Sequence, residues 1–167
     1  ELNLVWLTTG EGEMLKSDVI SNVTLQELRD NSIINTVPLL PISAQAGTLN
    51  DFIVSIKNIE VERIISPIKS ADYAITVTGD SMAPEFPNGS RILIKKINEN
   101  SFIEWGKVYV LDTYNGIVIK ILNEAADKPG HLLCTSINQD QKRYAPFTVP
   151  KSDVIGVYKV MLCMSLK

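Results

Sequence analysis

The sequence predicts a mainly β fold with few short helices. Seven short segments rich in Val, Ile and Tyr lie between residues 61 and 161. Turn residues separate them, most clearly Asn115-Gly116 between two apolar runs. The helix signals fall before residue 30. Short strands with so few helices predict a compact, partly closed β domain.

The chain of 167 residues divides into three parts. Residues 1–14 hold the run Leu2-Asn3-Leu4-Val5-Trp6-Leu7, which ends near Gly10 as a helix closing on a glycine would. This short apolar piece is expected to be the end of a larger helical unit. Residues 15–50 read as a linker. Within it, Thr24 and Glu27 have the spacing of a capping box. Further on, Pro38 and Pro41 favour an extended edge or connector over a central strand. The small residues Ser43-Ala44-Gln45-Ala46-Gly47 follow, able to lie flat in a narrow groove or to serve as a flexible connector. Residues 51–167 carry the expected strands, at 61–65, 73–78, 91–95, 107–111, 117–122, 132–136 and 154–161. Asn88-Gly89 and Pro129-Gly130 mark further turns.

Composition narrows the function. With 45% hydrophobic and 21% charged residues, the chain is an ordinary globular protein, not a disordered or fibrous one. A formal charge of −3 makes it a poor nucleic-acid binder by itself, because neutralising phosphates needs clustered Lys and Arg. One histidine, His131, and two distant cysteines, Cys134 and Cys163, give neither a four-ligand zinc set nor a redox C-x-x-C. No metal and no organic cofactor is expected. The cysteines read as reduced thiols in a cytoplasmic protein. The most apolar stretch, Val154–Met164, is interrupted by Lys159 and is too short to span a bilayer, so no membrane partner is expected.

The unusual segment is Val77-Thr78-Gly79-Asp80-Ser81-Met82-Ala83-Pro84. A strand enters it, and Gly79 and Pro84 break the regular backbone. Ser81 is therefore placed to present an exposed hydroxyl, with nearby amides able to hold an oxyanion. The local pattern fits equally an Asp-Ser turn above a buried methionine. A nucleophilic serine needs a base. His131 follows Pro129-Gly130 and reads as a solvated turn residue, and Ala83 breaks the G-x-S-x-G pattern.

A lysine can serve instead when it is neutral. Working near neutral pH, it must be held roughly 3 pH units below its free value of about 10.4, which is ~4 kcal/mol of bias against the ammonium. Burial away from carboxylates supplies such a bias. Lys120 is the candidate. It stands between Val118 and Leu122 on one strand face, with Ile117, Ile119 and Ile121 on the other, so both faces are expected to be buried. Taken alone, the run favours an edge position with the amine reaching water over a neutral, functional lysine. Lys95, Lys96, Lys107, Lys142 and Lys151 lie in polar or turn contexts.

Gly79-Asp80-Ser81-Met82-Ala83-Pro84, followed by a lysine inside an apolar strand, resembles the peptidase domain of LexA and phage CI-type repressors. Phe86 through Ile94, Lys107 through Val110, Leu133 through Asn138 and Val154 through Val160 are similar to further segments of that family. The likeness covers roughly residues 37–165. This sequence departs from the family's pattern in having Gly89-Ser90 for a usual Gly-Asp, and Ile121 where a basic residue often follows the lysine. Residues 2–14 resemble the last helix and exit of a helix-turn-helix domain.

The resemblance implies a LexA/signal-peptidase-like β fold and a transcriptional repressor that cuts its own chain. Ser81 would be the nucleophile and Lys120 its base, with the amides of Ser81 and Met82 as the oxyanion donors. The cut would fall at Ala46-Gly47, upstream of Ser81 and in the family's order. The implied partners are a second copy in a homodimer, operator DNA through the N-terminal domain, and a RecA filament as trigger. A catalytically silent module that dimerises and senses a ligand or partner is the main rival. A signal peptidase and a cleaved accessory protein of translesion polymerases are weaker ones, opposed by the absence of a membrane anchor and by residues 2–14 respectively.

Overall fold

The computed structural model describes residues 34–41, 49, 53, 61–98 and 101–165. Their strands are β1 (Thr36–Leu40), β2 (Arg63–Ile65), β3 (Tyr73–Thr76), β4 (Arg91–Lys96), β5 (Lys107–Thr113), β6 (Gly116–Glu124), β7 (His131–Thr135), β8 (Phe147–Pro150) and β9 (Val154–Met164). They form one sheet in the order β2-β1-β3-β4-β9-β5-β6-β7-β8. The β1–β3 pair is parallel and the other pairs are antiparallel. A 3-10 turn at Lys151–Asp153 leads into β9, and Leu49 and Ile53 are helical. The fold is mainly β with few short helices, as the sequence predicts. The N-terminal helical piece at 1–14, the capped helix near 24–29 and the Ala46-Gly47 bond lie outside the described residues.

All seven expected strands are present, shifted, shortened or lengthened by a few residues. The segment around Pro38, expected as an edge or linker, is instead an internal strand between β2 and β3. Pro38 is tolerated because β1 changes partner there. Residues 36–38 pair with β2, and pairing with β3 starts at Leu39. The Leu39 N–H donates to Glu62 O on the β2 side at 2.7 Å. Alternation along the strand then aims the donor missing from Pro38 toward β3, one residue before that ladder begins. β8, also not foreseen, is a four-residue edge strand ending in Pro150.

The sheet buries apolar side chains on both faces. Along β4, Ile92 and Ile94 join one cluster with Leu40, Leu49, Ile75, Val77, Val110 and Tyr158. Leu93 points the other way, into a cluster with Val37, Leu39, Ala71 and Ala74. Further along that second face, Tyr109, Leu111, Leu122, Leu132 and Cys134 pack across β5, β6 and β7. Two-sided burial explains why β4 reads as an unbroken apolar run.

The β5–β6 hairpin positions the residue that matters most. Its two-residue turn is Tyr114-Asn115, with Gly116 opening β6 at φ 103. Thr113 Oγ1 donates to Gly116 O at 2.7 Å and accepts from the Asn115 N–H at 3.2 Å. This turn sets the register that places Lys120 opposite Tyr109. A slip of one residue would carry Lys120 to the other face.

Candidate active site

Ser81 lies in a turn between β3 and β4 that several hydrogen bonds hold. The Val77 N–H donates to Ser90 O and the Gly89 N–H to Val77 O, both at 2.8 Å, closing the base of the loop. Gly79 adopts φ 81, a conformation open to glycine, and its N–H donates to Asn88 Oδ1 at 3.0 Å. The Ala83 N–H donates to Asp80 O at 3.1 Å and the Phe86 N–H to Met82 O at 2.9 Å. Met82 is buried and anchors the turn from beneath, while Ser81 stays half-exposed. Ser90 is buried and donates from Oγ to Pro87 O at 2.7 Å.

Lys120 reaches Ser81 from β6. Its Nζ donates to Ser81 Oγ at 2.6 Å, across 39 residues of sequence. The two sit in a cleft of about 120 Å³, shared with Val77, Thr78, Met82, Ile117, Val118 and Ile119. Apart from the exposed Thr78, these neighbours are apolar. A depression of about 310 Å³ beside β9 is larger, but neither Ser81 nor Lys120 lines it. Size does not identify the chemistry here, and the hydrogen-bonded pair does.

Burial of Lys120 favours the neutral amine and holds its pKa below the ordinary lysine value, the direction a base requires. Cys134 opposes this only as a thiolate. Burial pushes that thiol up to about 11, so near neutrality it is uncharged and does not hold the ammonium in place. Lys159 provides the contrast. It and Lys120 flank Tyr109 on either side in the sheet. Glu104 accepts a hydrogen bond from Lys159 at 2.5 Å and raises its pKa. One lysine has a carboxylate and stays charged; among the described residues the other has no ion pair.

The expected burial of both faces around Lys120 needs correction. Of β6 only Leu122 is fully buried, and residues 116–121 are half-exposed because the strand rims the cleft. His131 opens β7, with Nδ1 3.3 Å from Pro129 O, and has no recorded contact with Ser81. Among the described residues, the main-chain N–H groups of Ser81 and Met82 donate no hydrogen bond. The sequence reading missed Asn88 and Asn138. Asn138 reaches the serine turn from beyond β7, donating from Nδ2 to Asp80 O at 2.9 Å and from its N–H to Ser81 O at 3.0 Å. A contact across so many residues leaves no local pattern to find. Among the described residues, no group of His, Cys, Asp and Glu could hold a metal ion, and no helix is long and apolar enough to cross a membrane.

A comparison with curated proteins returns no match. The family model for Peptidase S24-like domains matches residues 38–159, which takes in the end of β1, the serine turn, the β5–β6 hairpin and the first half of β9. With that span and this β fold, the chain belongs to the Peptidase S24-like family, the class of LexA/CI-type self-cleaving repressor peptidases.

Proposed function

We propose that this protein is a repressor that cleaves its own chain between Ala46 and Gly47, with Ser81 as nucleophile and Lys120 as general base and acid. The 2.6 Å Nζ–Oγ contact inside an apolar cleft is the observation that carries the reading. In the neutral amine the hydrogen bond reverses, and the hydroxyl donates to the nitrogen lone pair. Oγ then bonds to the Ala46 carbonyl carbon as its proton passes to Nζ. The amides of Ser81 and Met82 receive the oxyanion. Collapse breaks the Ala46–Gly47 bond, and Lys120 returns the proton to the departing Gly47 nitrogen. Water, losing a proton to Lys120, then hydrolyses the acyl-serine and restores both groups.

The placement of the chain around the bond supports an internal substrate. Leu40 and Leu49 are both fully buried in one cluster with Val77, against which Ile117 and Ile119 pack. The segment holding the bond is therefore anchored before and after within the core that backs the cleft. A cut at this bond would sever the covalent link between residues 1–46, which hold the helix-turn-helix likeness and β1, and residues 47–167. In a homodimer, release of β1 from β2 and β3 after the cut would turn two linked operator contacts into independent ones and weaken DNA binding. A RecA filament is the trigger that the family likeness favours, and the cytoplasm is the matching compartment.

Incubation at mildly alkaline pH followed by mass analysis tests this. Fragments 1–46 and 47–167 are expected, and none from Ser81→Ala or Lys120→Ala. An intact chain, with or without an activating filament, would replace this reading with the silent sensing module.

A further inference from the structure

We propose that Asn138 is a positioning residue that orients both oxyanion amides, an inference that rests on the self-cleavage reading above. Asn138 sits just beyond β7, remote in sequence from the serine turn, yet it holds two successive carbonyls of that turn. Its Nδ2 donates to Asp80 O at 2.9 Å, and its main-chain N–H donates to Ser81 O at 3.0 Å. Its Oδ1 accepts the Asp140 N–H at 3.0 Å. That third bond decides which end of the carboxamide faces Asp80, because the oxygen is already engaged.

The consequence follows from peptide geometry. A trans peptide is planar, and its C=O and N–H point in opposite directions. Drawing the Asp80 carbonyl toward Asn138 aims the Ser81 N–H away from Asn138. Drawing the Ser81 carbonyl the same way does this for the Met82 N–H. These are the two donors that find no acceptor among the described residues. One residue thus fixes two adjacent peptide planes, while Asn88 pins the preceding Gly79 N–H from the other end of the turn. A carbonyl that accepts a hydrogen bond also polarises its own peptide unit, so the N–H it carries becomes a better donor. Among the described residues Asn138 bonds to Asp80, Ser81 and Asp140 and not to Lys120. Its effect is confined to how well the transition-state charge is received.

This separates two features of a pH–rate profile. The midpoint reports the amine of Lys120, and the plateau reports how well the oxyanion is held. Removing an oxyanion donor outright costs about 10²–10³ in rate. Asn138→Ala keeps its main-chain bond to Ser81 O and leaves the Ala83 bond to Asp80 O in place, so a plateau about 10- to 100-fold lower is expected. The midpoint should not move. Asn138→Asp is isosteric and can still accept the Asp140 N–H, but it turns an acceptor toward the Asp80 carbonyl, so its plateau should fall at least as far. It carries the test if the alanine variant does not fold. Asn123→Ala serves as the structural control, because it removes a 3.0 Å bond from Nδ2 to Thr135 Oγ1 between β6 and β7, away from the serine turn.

The experiment is the first-order rate of self-cleavage of the full chain across pH, with thermal unfolding of each variant run beside it. A lowered plateau with a fixed midpoint in folded Asn138 variants, and a parent-like plateau in Asn123→Ala, is the expected result. The inference is overturned by a parent-like plateau in the Asn138 variants, by a shifted midpoint, or by an equal fall in Asn123→Ala. If the unmodified chain does not cleave under any condition, the self-cleavage reading fails and takes this inference with it.

Discussion

Lys120 is a charged residue type in a place that disfavours its charge. Its nitrogen has a hydroxyl for a partner and an uncharged thiol nearby, and among the described residues no carboxylate repays the lost hydration of the ammonium. The cost has a definite pH dependence. Below the lowered folded value, both folded and unfolded chains carry the proton and the folded state bears the full penalty. Between that value and the ordinary 10.5, the unfolded chain binds more protons than the folded one. Stability therefore rises with pH through this window, and above it the penalty is gone. Lys120→Met, of similar length and uncharged, should be more stable than the parent near neutrality. Its advantage should shrink as pH climbs toward 10.5. Thermal unfolding of both proteins over that range checks this, and an advantage that grows with pH would mean the lysine is held charged. The sequence made the residue visible, because a lone lysine in Ile117-Val118-Ile119-Lys120-Ile121-Leu122 is conspicuous. It did not reveal the half-exposed rim, since alternation reports which face a side chain takes and not whether another layer covers it.

The hairpin of β5 and β6 converts that residue into a site. Its register depends on a turn whose last position, Gly116, has φ 103, where side chains other than hydrogen are strained. Gly116→Val should cost about 1–3 kcal/mol of stability, read by urea unfolding. Cleavage should slow as well, because any accommodation in register moves Lys120 relative to Ser81. Turn signals such as Asn115-Gly116 were legible because their chemistry is local. β1 was not, because its tolerance of Pro38 comes from a change of partners that only the assembled sheet defines. β8 escaped for a similar reason: a short edge segment between prolines has too little pattern of its own and is held by pairing with β7.

At the level of the whole molecule, the proposed self-cleavage would make the substrate part of the enzyme's own chain. Burial of Leu40 and Leu49 in the core behind the cleft fixes the chain before and after the segment to be cut. Such a reaction should be first order, with a half-time that does not change when the protein is diluted tenfold. Attack on a second molecule would instead slow with dilution. The overall architecture was legible because short apolar runs and turns repeat along the chain, and the serine and lysine each stood out locally. Their meeting could not be read from local pattern, since it depends on how the turn after β3 and strand β6 come together in the assembled sheet. The most direct measurement of the central claim is the rate of self-cleavage from neutral to alkaline pH, for the parent and for Lys120→Ala. The account predicts a rate that rises with loss of one proton, at a midpoint below 10.5, and is absent from the variant. A rate indifferent to pH, or cleavage that persists without Lys120, would contradict it.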